Sequence, residues 1–69
     1  MRDPKRIYDF CNKFAALWAE KIPDWRFGQT ISNFFGWVYS EKKRDIFFIE
    51  EDQMLEYFEE YCGKYGMKE

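Results

Sequence analysis

The chain has 69 residues, a formal net charge of −2 and no histidine, and 23% of its residues are Phe, Tyr or Trp. That length holds one domain, and the missing histidine removes the commonest general base and metal ligand, so neither Ser-His-Asp nor Cys-His catalysis nor a Cys/His zinc site can be built from it. Charged residues make up 35% of the chain, too many for a membrane protein and too mixed in sign for a typical disordered one.

The opening "MRDPKRIYDFCNKFAALWAEK" carries a helix start. Asp3 can cap the first free amides, and Pro4 suits the first helical position, where its missing N–H costs nothing. Ile7, Phe10, Cys11, Phe14, Leu17 and Trp18 then recur at the spacing of one helical face. Pro23 disfavours helical torsions at Ile22, which predicts a stop near Lys21. The short link that follows predicts a hairpin of antiparallel helices.

A second helix is predicted from Asp24, whose charge suits the positive end of the helix dipole. Phe27, Ile31, Phe34, Phe35 and Val38 form its apolar stripe. Gly28, Ser32 and Gly36 run beside that stripe and predict a close approach by a neighbour, since glycine inside a helix costs about 1 kcal/mol relative to alanine. The wide apolar sector marks this helix as the central one.

"SEKKRD" is a charged connector, and "IFFI" (Ile46–Ile49) is too short and too isolated for a paired strand, so it is expected to plug the core. Glu50, Glu51 and Asp52 crowd the first turn of a third helix, as the dipole favours. Met54, Leu55, Phe58, Tyr61 and Cys62 share one of its faces, and Gly63 or Gly66 can supply a left-handed cap. The last residues, "MKE", are expected to fray. The predicted fold is therefore all-α: a compact three-helix bundle with helices at about 4–21, 24–40 and 50–63 and a non-helical plug at 46–49.

The acidic groups Glu50/Glu51/Asp52 and Glu59/Glu60 fall at a helix start and on a solvent face. They are read as solvated charges, not as an acid–base pair or a metal site, and a bundle this small leaves little room for a closed ligand pocket. No cofactor is implied. Cys11 and Cys62 are too few for a disulfide scaffold; two buried thiols are expected, the alternative being a bridge between the first and last helices. No apolar leader follows Met1 and no run approaches the ~20 residues of a membrane span, so the expected location is the cytoplasm.

Two surfaces remain for binding. Trp25, Trp37, Tyr8, Tyr57 and Tyr65 lie beside or outside the apolar stripes; they either roof the core or form a partner surface for another protein or a second copy. Arg26, Gln29 and Asn33 have no evident structural duty, although Arg26 is expected to pair with an acid on another helix. Lys42, Lys43 and Arg44 form a basic run beside Trp37 and Tyr39, suited to phosphate contact plus base stacking. Residues 1–44 hold nine Lys/Arg against five Asp/Glu, whereas residues 45–69 hold two against eight. The acidic third helix would repel phosphate, which makes nucleic-acid binding the alternative and protein binding the main expectation.

Three stretches, "MRDPKRI", "PDWRFGQTISN" and "DIFFIEED", make the chain resemble a family of short uncharacterised proteins of bacteria and their phages. Its members are similar in an R-D-P-x-R-I-like start, a P-D-x-R-F/L-x-Q middle with a tryptophan upstream (Trp18 here), and an acidic-apolar ending. The likeness covers most of the chain and implies a small helical protein; it carries no known activity and so supplies no catalytic residues. The phage association implies a host-directed or regulatory binding role. Charge alone, apart from the resemblance, suggests that an acidic face at Glu56, Glu59 and Glu60 imitates nucleic acid and occupies a host protein's basic site.

Overall fold

The Asp3 carboxylate accepts a hydrogen bond from the Lys5 amide at 2.9 Å, and Pro4 follows with helical torsions (φ −61°, ψ −18°). The expected cap and first-turn proline thus start α1, Lys5–Lys21. These positions come from a computed structural model that describes residues 2–66; the expected fraying of residues 67–69 lies outside that span. Ile22 leaves helical torsions ahead of Pro23 (φ −137°, ψ 52°) and is buried, while its N–H still bonds to Trp18 O.

The second helix starts later than expected. Residues 23–25 are spent on a turn closed by Trp25 N–H to Ile22 O at 3.2 Å, and Trp18 Nε1 donates to Trp25 O at 3.1 Å, which ties the turn to α1. Asp24 therefore lies too early to cap. Arg26 is extended (φ −72°, ψ 155°), and the Gln29 side-chain carbonyl reaches back to its N–H at 2.8 Å. This is the acceptor half of a capping box, and it opens α2, Phe27–Trp37. The helix widens into a π turn over Val38–Lys42 and ends at Lys43, which is left-handed at φ 56°.

Asp45 Oδ1 then accepts from the Phe47 amide at 2.9 Å and the Tyr39 hydroxyl at 3.2 Å, setting up one 3-10 turn, Ile46–Phe48. The plug is thus a short helical turn, and it plugs only in part. Ile49 is buried and Ile46 half-buried, but Phe47 and Phe48 are 82% and 73% exposed. Four consecutive apolar residues on one tight turn cannot all face inward.

The third helix, α3, runs over Glu51–Tyr65, past the expected end at residue 63. Gly66 is its cap, in extended rather than left-handed torsions (φ −85°, ψ −177°). Glycine is needed there for space: a Cβ would collide with Cys62 O and lie 2.9 Å from Lys21 Cβ, where the ends of α3 and α1 converge.

Helix α3 is the shared partner. Helix α1 packs along it, α2 meets it at fewer positions, and the α1 and α2 backbones rarely come close, although the rings of Trp18 and Phe27 meet across their near ends at 5.8 Å. The central helix is therefore the third, not the second, and the expected first hairpin is splayed. The Phe58 side chain sits at the middle of the core with no exposed surface; its ring stacks on Phe14 at 4.5 Å and meets Phe34 edge-on at 4.9 Å. Tyr61 continues the cluster, 5.4 Å from Trp37 and 5.6 Å from Phe34. Val38, Thr30 and Cys62 fill the space around these rings. Among the described residues there is no strand, and the protein is an all-α three-helix bundle.

Gly28 and Gly36 do not admit a neighbour. A Cβ at either would meet nothing within 4 Å, so the small-residue row faces open space.

Candidate functional site

The splay of α1 from α2 leaves an apolar groove of about 500 Å³. One wall is the outer part of α1's apolar face, Ile7, Phe10, Cys11 and Phe14. The other is Phe27, Ile31 and Phe35 of α2, with Phe34, 1% exposed, beneath them. Ile46, Phe47, Ile49 and Met54 complete the lining. None of the 17 residues of α1 is fully buried, although its sequence carries a full apolar stripe. That stripe is covered by α3 on one side only. The charged groups of the lining, Arg6 and Glu51, pair with each other at 2.9 Å on the rim.

Beside the groove the 3-10 turn thrusts out Phe47 and Phe48, edge to face with centroids 4.9 Å apart. Phe27 is 59% and Ile7 48% exposed on the same groove. The volume exceeds what so small a bundle was expected to offer. It is nonetheless an open trough walled by rings, without the convergent polar groups that orient a small molecule.

The residues expected to bind a partner do not form one surface. Trp37 is core, 7% exposed, and Trp25 is half-buried with its ring edge-on to Tyr61 at 6.2 Å. Gln29 has a structural duty after all, as the side chain that caps α2. Arg26 and Asn33 are exposed, and among the described residues Arg26 has no ion pair with an acid.

The basic run is engaged within the molecule. Lys42 Nζ lies 2.8 and 3.0 Å from the two carboxylate oxygens of Glu60 and 5.3 Å from the ring centroids of both Trp37 and Tyr57. The π turn favours this position, because its wider i→i+5 bonding brings residue 42 round towards residue 37. Arg44 donates to the Tyr57 hydroxyl at 3.1 Å, and Lys43 is exposed at the left-handed position. At the other end of α3, Arg2 pairs with Glu50 at 2.6 Å. The basic and acidic parts of the sequence thus meet in one molecule, and α3 is clamped by cations from both sides.

Among the described residues three titrating groups are shifted: exposed Tyr39, raised by desolvation and by the Asp45 carboxylate that accepts from its hydroxyl, and two core residues. Burial pushes the Cys62 thiol up to about 11 and raises the Tyr61 phenol, to which neighbouring Tyr65 adds. Both are held neutral near pH 7, the reverse of what a nucleophile or general base requires. Both cysteines are free; Cys62 is buried as expected, whereas Cys11 is exposed on the groove wall. Among the described residues no group of His, Cys, Asp and Glu is arranged to hold a metal, and no helix is long and apolar enough to cross a membrane.

The apolar pattern assigns Ile7, Phe10, Phe27, Ile31, Phe35, Phe47 and Phe48 to the core; of these Phe35 does pack against it, while Ile7, Phe27, Phe47 and Phe48 are exposed. Their periodicity is that of buried residues, and periodicity does not say whether a neighbour is there. The one local signal was the Phe47–Phe48 pair inside a four-residue apolar run. No family model, no curated protein and no solved structure matches the chain.

Proposed function

We propose that this protein is a small non-catalytic protein-interaction module whose working surface is the groove between α1 and α2 together with the Phe47–Phe48 projection. The exposure of Phe27, Phe47 and Phe48, at 59%, 82% and 73%, carries the reading. Three large rings left in water beside a ring-lined groove make a contiguous apolar patch, and such patches mark surfaces that another chain covers. The neutral core thiol and phenol and the mutually paired Arg6 and Glu51 support the non-catalytic half of the reading. Nucleic-acid binding through Lys42 and Arg44 is less favoured, because Glu60 and Tyr57 already hold those side chains. A resemblance to short phage and bacterial proteins, carried by the three sequence stretches alone, would fit such a module and would assign it no partner.

Site-specific photo-crosslinking inside cells tests this reading. A photoreactive phenylalanine analogue at position 47 is expected to give a discrete adduct with another chain, and the same group at exposed position 59 is not. Absence of any adduct from position 47 overturns the proposal.

A further inference from the structure

We propose that the groove is covered by a second copy of this chain, in a two-fold exchange in which Phe47 and Phe48 of each copy enter the groove of the other. This rests on the reading of the groove as a protein-binding surface and commits it to one occupant.

The projection and the groove belong to one face, since Phe47 also lines the groove. A face that carries both a knob and a hole complements itself under a two-fold axis: what residue 47 does to the partner, the partner's residue 47 does in return. The knob is also held ready. Asp45 caps the turn at the Phe47 amide, and Ile46 and Ile49 anchor it from below, so the rings project from a fixed base and little ordering remains to be done on association. The groove offers Phe10, Phe14, Phe27 and Phe35 as walls, and rings pack on rings edge-to-face or offset.

Area supports a second copy over a short peptide. With a phenylalanine presenting roughly 200 Å², the three exposed rings alone supply on the order of half of the ~800 Å² that a stable interface takes from each partner. The uncovered half of α1 and the rim supply the remainder. Charge does not oppose the pairing. The rim holds one cation and one anion, Arg6 and Glu51, so a two-fold brings no large single-sign field against itself, and the net charge is only −2 per chain.

Light scattering across a concentration series tests the exchange. The wild-type mass is expected to rise from the 8.6 kDa of one chain towards twice that value. The knob variant Phe47→Glu/Phe48→Glu and the groove variant Phe27→Glu are each expected to weaken the dimer by about thirtyfold or more, as loss of a hot spot does. Each alters only exposed rings, so the helical circular dichroism should be kept, and Glu59→Gln, exposed on α3 and outside the groove lining, should dimerise like wild type. An equimolar mixture of the knob and groove variants is expected to recover part of the dimer, because the mixed pair keeps one intact knob in one intact groove. A wild-type protein that stays monomeric, variants that dimerise normally, or a mixture no better than its components would each overturn the exchange. A monomer that still crosslinks a foreign chain from position 47 sinks only the self-pairing, whereas a monomer with no adduct sinks the interaction module as well.

Discussion

The two thiols show how differently one residue type behaves on two sides of a small bundle. Cys62 is 1% exposed beneath Tyr61, and its thiol is held up at about 11; Cys11 opens onto the groove. At neutral pH and at concentrations where the chain is monomeric, a thiol reagent is therefore expected to label one cysteine per native chain and both after denaturation, counted by mass spectrometry. The same contrast has a pH consequence. In the unfolded chain Cys62 returns to the ordinary value of 9.0, so the native state holds a proton that the unfolded state has released. The Cys62 contribution is constant below pH 9 and lowers stability as pH rises towards about 11, with Tyr61 acting in the same direction. Urea midpoints should show this decline in the wild type and a shallower one in Cys62→Ala. Both cysteines were legible as apolar-face residues of helices. That Cys11 faces a gap was not, because α1's own spacing carries no information about where α2 goes.

Among the elements, α2 departs furthest from its sequence. Its two glycines suggested a close-packed neighbour, yet both face open space, while the left-handed position at its end is filled by a lysine. Glycine and lysine thus stand at positions where local propensity favours the opposite choice. Gly36→Ala is expected to stabilise the fold by about 1 kcal/mol, since alanine is the better helix former and meets no obstacle. Lys43→Gly should add about 1 kcal/mol by relieving the left-handed torsion. Denaturant melts of the two single variants check both, and a fall in stability for Gly36→Ala would mean that something does approach that face in solution. The start of α2 was misread by a few residues for a related reason. Asp24 is a good capping residue, but Pro23 and the Trp18–Trp25 hydrogen bond use that segment to reverse the chain, and Gln29 caps instead from inside the helix. The boundaries of α1 were readable because Asp3, Pro4 and Pro23 act locally.

For the whole molecule, the radius of gyration is 12.1 Å, with extents of 40 × 26 × 20 Å. That is slightly larger than the roughly 11 Å expected of a compact chain of this length, in keeping with the open groove. Charge is organised at the same scale. Arg2, Arg6 and Lys42 pair with Glu50, Glu51 and Glu60, so three of the nine cations of residues 1–44 are directed at the acidic helix and not outward. These pairs are partly exposed, and each contributes little to stability by itself. Their larger effect is on partners: phosphate must compete with carboxylates for Lys42 and the cations near α1. No salt-dependent shift with single-stranded DNA or RNA is therefore expected in fluorescence anisotropy at low salt. A clear shift that weakens steeply with added salt would restore the nucleic-acid reading.

The sequence by itself determined the all-α class, three helices in nearly the right places, the aromatic residues of the inner faces, and the lack of histidine chemistry. These follow from periodicity, capping residues, prolines and composition, all of which act within a few residues along the chain. Only the tertiary structure decided that α3 is the shared partner, that α1 and α2 part to leave a ring-lined groove, and that Phe47 and Phe48 stand in solvent. It also decided that Trp37 and Lys42 serve the molecule's own interior and its ion pairs. The reason is that an apolar stripe states what a helix needs covered, whereas which neighbour covers it depends on the turn at Pro23–Trp25, the π turn at Val38–Lys42 and the fit of Phe58 between Phe14 and Phe34. Those are contacts between residues far apart in the chain, and one helix's pattern contains no record of them.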